Sequence, residues 1–181
     1  MLETWGDSNV GSIMKKFPFL KKPLITVTPS GRIFFADSDQ FLIRELNKEG
    51  NVIGGFYYPV SKNPVTREDA RNSSNEMTKD IAEKVELPES WAVMQFMWPD
   101  DNGRLWISTF TEKEDELEWW VLEPDGELIG KFRWPGDREN PPYVTGSTFK
   151  HIRGDYFYTR EEDEETGLQQ VVRYRIEMEE E

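Results

Sequence analysis

The sequence predicts an all-β fold of four-stranded antiparallel repeats, interrupted by one helical insertion. Three observations predict it. Aromatic residues make up 13% of the chain and come in short β-rich runs, a composition that suits strands. Those runs are punctuated by Gly, Pro, Asn and Asp turn signals. The phrase from Gly103 to Pro135 also recurs before and after itself, and an internal repeat decides an architecture before any single residue does.

Gly11-Ser-Ile-Met-Lys-Lys-Phe17 is the first element. Beside Gly50-Asn-Val-Ile-Gly-Gly-Phe56 and Gly126-Glu-Leu-Ile-Gly-Lys-Phe132 it reads as one strand type, D, entered through a Gly turn. Its first copy is expected at 11–17. Leu24-Ile-Thr-Val-Thr28, the turn Pro29-Ser30-Gly31 and Arg32-Ile-Phe-Phe-Ala-Asp37 read as a hairpin, strands A and B. The same junction recurs from Val93 to Ser108, and more loosely from Phe149 to Tyr158. Strand C follows each time, at Phe41–Leu46, Glu118–Leu122 and Gln170–Ile176. The order along the chain is D, ABCD, ABCD, ABC.

Between the two complete repeats lies the insertion, expected at 64–86. Thr66 with Asp69 has the form of a capping box, with Asp replacing the usual Glu or Gln. Ala70, Met77, Ile81 and Val85 follow helical spacing. One helix is expected between Arg67 and Lys84, with a weak patch at Asn72 to Asn75, and Leu87-Pro88 ends it.

Four-stranded repeats of this kind build β-propellers. The chain is therefore read as a single domain over 1–181. It would hold blades at 24–59 and 91–135 and the A, B and C strands of a last blade at 143–177, about half of a six-bladed ring. A three-blade arc exposes sheet edges and apolar faces at both ends, and a two-fold homodimer would close the ring. In that ring the first D strand completes the last blade, across two chains. The other reading is a fragment of a longer propeller.

Composition narrows the chemistry. A net charge of −13 repels phosphate backbones, so nucleic acid is not an expected partner, while cations and basic proteins are. The absence of Cys excludes disulfides and thiolate metal sites, and a single His excludes a multi-His zinc site within one chain. No run approaches membrane-spanning length, and the start carries no basic and apolar export signal.

Asp101-Asn-Gly-Arg-Leu-Trp-Ile107, followed by Val121-Leu-Glu-Pro-Asp-Gly-Glu-Leu-Ile-Gly130, resembles bacterial six-bladed β-propeller proteins, distant kin of NHL-repeat propellers. Ala36-Asp37-Ser38 after Arg-Ile-Phe-Phe is similar to the NHL-type Val-Ala-Asp-Ser phrase. The likeness runs from Leu24 to Ile176 and resembles the C-terminal half of such proteins. It implies a periplasmic or cell-surface location. It implies little about activity, since propellers carry many unrelated functions.

In a meander, the B–C and D–A connections share one end of the sheet. The B–C loops Asp37-Ser-Asp39, Thr111-Glu-Lys-Glu-Asp-Glu116 and Glu161-Glu-Asp-Glu-Glu165 should therefore gather with the insertion on one acidic face. Asp37 and Asp39 are the candidate ligands there, with Ca²⁺ as the metal they would take. His151 beside Arg153 is a second candidate pair, a base and an anion clamp. Arg32 and Arg104 share a repeat position and are expected in turns or inter-blade ion pairs. Trp119 and Trp120 should point to opposite faces of their strand. Asn72-Ser-Ser74 fits the glycosylation pattern inside the expected helix. No nucleophile elbow, phosphate loop or metal-binding helix motif is present, so no catalytic residue is assigned. The expected function is a non-catalytic binding module using its acidic loop face, without a cofactor beyond Ca²⁺. The alternative is a metal-dependent, lactonase-like hydrolase with carboxylates near the propeller axis.

Overall fold

The structure is a computed structural model that describes residues 4–5, 13–14, 17, 19–74, 78–113, 115–136, 148–163 and 165–177. It is mostly β. Strands β1 (Thr4–Trp5) and β2 (Ile13–Met14) form a short antiparallel ladder. The first sheet follows as an up-and-down meander of β3 (Pro23–Val27), β4 (Ile33–Asp37), β5 (Leu42–Leu46) and β6 (Val52–Tyr57). Helices α1 (Arg67–Asn72) and α2 (Lys79–Lys84) interrupt the chain. The second sheet contains β7 (Met94–Pro99), β8 (Leu105–Phe110), β9 (Glu116–Leu122) and β10 (Leu128–Pro135). The third has β11 (Thr148–Arg153), β12 (Tyr156–Glu162) and β13 (Gln169–Arg175). Three antiparallel sheets of four, four and three strands thus follow the expected A-B-C-D order. The expected D strand at 11–17 includes β2, whose ladder is with β1.

One turn recurs because one chemistry recurs. Thr28 N–H donates to the Arg32 carbonyl at 2.9 Å, and Gly31 N–H to the Thr28 carbonyl at 2.9 Å. The same pair of bonds closes Asn47–Asn51, Asp100–Arg104 and Glu123–Glu127. Each turn ends in a Gly at positive φ, such as Gly103 at +88° and Gly126 at +98°, where a Cβ would be strained. A side chain at the first turn position often reinforces the loop. Thr28 Oγ1, Asn47 Oδ1 and Asp100 Oδ1 each accept the N–H four residues on, at 3.1, 2.8 and 2.9 Å.

The middle sheet is covered on both faces. Leu105, Ile107, Trp120 and Leu122 pack on Phe34, Ala36, Phe41 and Ile43 of the first sheet and its loop. Trp106, Trp119 and Val121 pack on Ile152 and Phe157 of the third. Neighbouring Trp119 and Trp120 thus enter different cores, as strand alternation requires. A bulge between Met94 and Phe96 puts Met94 on the same side as Met97. Burying one such side chain contributes about 2–3 kcal/mol. The outer face of the first sheet stays open: Ile25, Val27, Ile53 and Tyr57 are 65, 54, 61 and 61% exposed.

The insertion differs from the single expected helix. Two short helices form, and the break falls in the weak patch. Ser73 Oγ donates to the Asp69 carbonyl at 2.8 Å, and Ser74 Oγ to the Ala70 carbonyl at 2.7 Å. Ser73 N–H still makes the helical bond to the Asp69 carbonyl, but Ser74 N–H turns to the Arg71 carbonyl at 3.0 Å and the Ser74 hydroxyl takes the Ala70 carbonyl that a continuing helix would have used. The capping box is present: Asp69 Oδ2 accepts from Thr66 N–H at 2.6 Å, and Thr66 Oγ1 from Asp69 N–H at 3.2 Å. Arg67 clamps the two helices by donating to the Ala82 and Val85 carbonyls at 2.8 and 2.9 Å, the end of α2 that favours a cation. Ala70, Ile81, Ala82 and Val85 close a third core with Phe17, Phe19 and Trp91. Among the described residues, no helix is long and apolar enough to cross a membrane.

Candidate functional site

Residue contacts tie the B–C loop of the second sheet to the residues flanking the insertion, and that of the first sheet to the start of β7. Asn63, which leads into the helices, donates its side-chain amide to the Thr111 carbonyl at 3.1 Å. Trp91, which leads out of them, meets Phe110 edge-on at 5.3 Å. Ser38 fixes the first loop from within. It is fully buried, its carbonyl accepts from Val93 and Met94 N–H at 2.6 and 2.9 Å, and its Oγ accepts from Lys22 N–H at 2.8 Å. The buried Ser38 holds its neighbours in place: Asp37 is exposed and Asp39 half-buried.

The carboxylates of this end fall into two groups. Glu116 pairs with Arg133 at 3.2 Å and with Lys113 at 3.5 Å. Glu161 Oε1 accepts from Thr159 Oγ1 at 2.6 Å and from the Tyr174 hydroxyl at 2.8 Å, and that bond raises the Tyr174 pKa. Asp163 Oδ1 accepts from Thr166 Oγ1 and N–H at 2.7 and 2.8 Å, and the Thr166 side chain foremost holds its carboxyl below the usual range. These groups shape their own loops. The side chains of Asp37 and Asp39, like those of Glu112, Asp115, Glu162 and Glu165 in the other two loops, have no ion-pair or hydrogen-bond partner among the described residues. Nor does any group of three or more His, Asp or Glu among those residues have the spacing of a metal site.

His151 and Arg153 lie elsewhere. Both are exposed on β11, paired with Tyr158 and Tyr156 of β12. The third sheet is separated from Asp37 by the whole second sheet, and Arg153 sits at the A–B turn end, opposite the B–C loops. The two candidate pairs do not form one site. His151 and Arg153 instead belong to a cationic face with Arg160, Arg173 and Arg175, in which the Arg173 guanidinium lies 4.6 Å from the Tyr156 ring centre.

The repeated arginines do what their turn position implies. Arg32 donates to both Glu45 oxygens at 2.7 and 2.8 Å and reaches the Pro124 carbonyl of the second sheet at 3.1 Å. The hydrogen bond to Glu45 raises the Arg32 pKa, and the same bond lowers that of Glu45. Arg104 donates to Asp100 Oδ2 at 2.6 Å.

Two residues escaped the sequence reading. Asp100 is buried, with its carboxylate accepting from Asn102 N–H, Arg104 N–H, the Arg104 guanidinium and the Trp106 indole. Its signal was the matching turn position of Thr28 and Asn47. Gln95, in the β7 bulge, is 3% exposed, and its Oε1 accepts no hydrogen bond among the described residues. A cleft of about 440 Å³ between the second and third sheets was also unforeseen, lined by Ile129, Lys131, Phe132, Phe157, Arg175 and Ile176.

No protein-family model and no curated protein matches this chain. Among solved structures, a protein of unknown function from Bacteroides caccae is similar at 12% identity and a TM-score of 0.40, covering 87% of this chain and 47% of its own. The chain spans about half the length of that protein.

Proposed function

We propose that this chain is a β-propeller-type, non-catalytic binding module, kin to the six-bladed NHL-like proteins, that takes a cationic ligand or basic protein surface at its acidic loop end. One observation carries the reading. Asp37 and Asp39 are held at a loop tip by buried Ser38 and, with Glu112, Asp115, Glu162 and Glu165, make no side-chain ion pair or hydrogen bond among the described residues, while Glu116, Glu161 and Asp163 are engaged by neighbours. Unpaired carboxylates beside a helical flap offer a cation its ligands without dismantling the fold. In this reading the three sheets supply half of a six-bladed ring, and a second copy supplies the rest.

Two probes test it separately on the isotope-labelled full chain: Ca²⁺ alone and a short oligolysine peptide. Amide shifts confined to 37–41, 111–116 and the insertion are expected for at least one probe, and Asp37→Asn with Asp39→Asn should weaken binding by about tenfold or more. Absence of binding by both probes, or equal binding by the double variant, overturns the assignment. Lactone turnover that requires added Ca²⁺ and disappears in the same variant would move it to the metal-dependent hydrolase.

A further inference from the structure

The outer face of the third sheet carries charge of the opposite sign to the chain that bears it. The strands β11, β12 and β13 pair in register, so the side chains on this face form rows across them. Arg153, Tyr156 and Arg175 make one row, His151, Tyr158 and Arg173 the next, and Arg160 with Val171 lies in a third. The alternate residues Ile152, Phe157, Tyr174 and Ile176 turn the other way, into the core shared with the second sheet. Four arginines and the single His thus gather around two tyrosines, in a chain of net charge −13.

The fold does not use this charge. The side chains of Arg153, Arg160 and Arg173 make no ion pair or hydrogen bond among the described residues, and Arg175 reaches Glu177 at 3.6 Å with both side chains exposed. Arg32, Arg71, Arg104 and Arg133, in contrast, each hold a carboxylate of their own chain. The two tyrosines are half-buried and orient what surrounds them: the Arg173 guanidinium stacks 4.6 Å from the Tyr156 ring centre, and the His151 ring lies 6.4 Å from that of Tyr158.

We infer that this face binds an extended acidic peptide segment of a partner protein, laid along the tyrosine column with its carboxylates on the flanking guanidiniums. The period identifies the occupant. Successive rows are two residues apart along a strand, about 7 Å, and alternate side chains of an extended peptide have the same spacing. Asp or Glu at every second position therefore meets one row after another, and each carboxylate accepts both N–H groups of a guanidinium fork. Net charge favours a peptide over a nucleic-acid strand. With −13 behind the face, a phosphate at every nucleotide is repelled along its whole length, whereas the peptide carries charge only where a guanidinium meets it. The inference does not rest on a ligand at the acidic end, which lies across the second sheet from this face. A second copy closing the ring would cover the face, so the segment is a ligand of the open chain.

Titrating the isotope-labelled full chain with a short synthetic peptide bearing Glu at every second position tests it, with a thymidine oligonucleotide as the competing probe. Amide shifts should be confined to 151–160 and 169–175, and the affinity should fall as salt rises. Arg173 and Arg175 are exposed, so Arg173→Gln with Arg175→Gln should stay folded by circular dichroism and bind the peptide about tenfold or more weakly. Ca²⁺ and oligolysine should leave these amides unmoved, so this inference and the acidic-end reading fail separately. No peptide binding, whether the chain runs as a monomer or a dimer, overturns the inference. Equal binding by the double variant, or tighter binding of the oligonucleotide than of the peptide, overturns it as well.

Discussion

The Trp106 indole N–H donates to Asp100 Oδ2 at 3.0 Å, inside a turn whose carboxylate side chain has no solvent exposure. Arg104, which shares that oxygen at 2.6 Å, is itself only 17% exposed. The A–B turn of the second sheet is therefore fastened to the floor of the core beneath it. Asp100→Asn keeps the shape but removes the charge and leaves donors mismatched. It should cost about 2–4 kcal/mol, read as a lower urea midpoint at unchanged m.

Arg32 and Glu45 form the exposed counterpart of that pair. Because the folded pKa of Glu45 lies below its unfolded value, its contribution is complete above the ordinary carboxylate range and is lost as pH falls through the folded pKa. Glu45→Gln should flatten the acid side of the stability profile and leave the neutral region lower by less than about 1 kcal/mol, since side-chain exposures of 37 and 20% let solvent screen the pair. High salt should shrink the difference between the two proteins.

Gly103 and Gly126 occupy the same kind of turn in different surroundings. A Cβ on Gly103 meets no atom nearer than Pro124 Cγ at 3.9 Å, whereas one on Gly126 would lie 2.5 Å from Phe56 Cγ. Gly103→Ala should cost only the conformational penalty of about 1–2 kcal/mol. Gly126→Ala should cost more and should also disturb the Phe56 ring, visible as shifted aromatic resonances. Equal costs would show that the two sheets do not meet at Gly126.

Asp37→Asn and Asp39→Asn should be neutral in stability, within about 0.5 kcal/mol, because neither side chain has an ion-pair or hydrogen-bond partner among the described residues. Thermal melts with and without Ca²⁺ separate the two roles. A large destabilisation without ligand would mark these residues as structural.

The repeat was legible because its punctuation is chemical. Gly31, Gly50, Gly103 and Gly126 each stand where the turn needs positive φ, so strand order followed from counting between them. The alternation of Trp119 and Trp120 was legible for the same reason. The break between α1 and α2 was legible only as a weak patch at Asn72 to Asn75, because Ala70, Ile81 and Val85 keep helical spacing across it. Asp37 and Asp39 were readable as a loop-end pair. Their separation from His151 and Arg153 depends on how sheets stack, which no local pattern encodes. Asp100 was hidden because a turn aspartate looks solvated until the Trp six residues on folds over it.

The side-by-side placement of Trp119 and Trp120 in two separate cores bears on how such a chain can vary over time. Inserting or deleting a single residue within β9 would swap which indole enters which core, moving both out of register together. No compensating change in one neighbouring sheet could repair the other. Length drift in descendants of this sequence should therefore collect in the B–C loops and the insertion, leaving β9 fixed in length as the ruler against which both adjoining sheets are aligned.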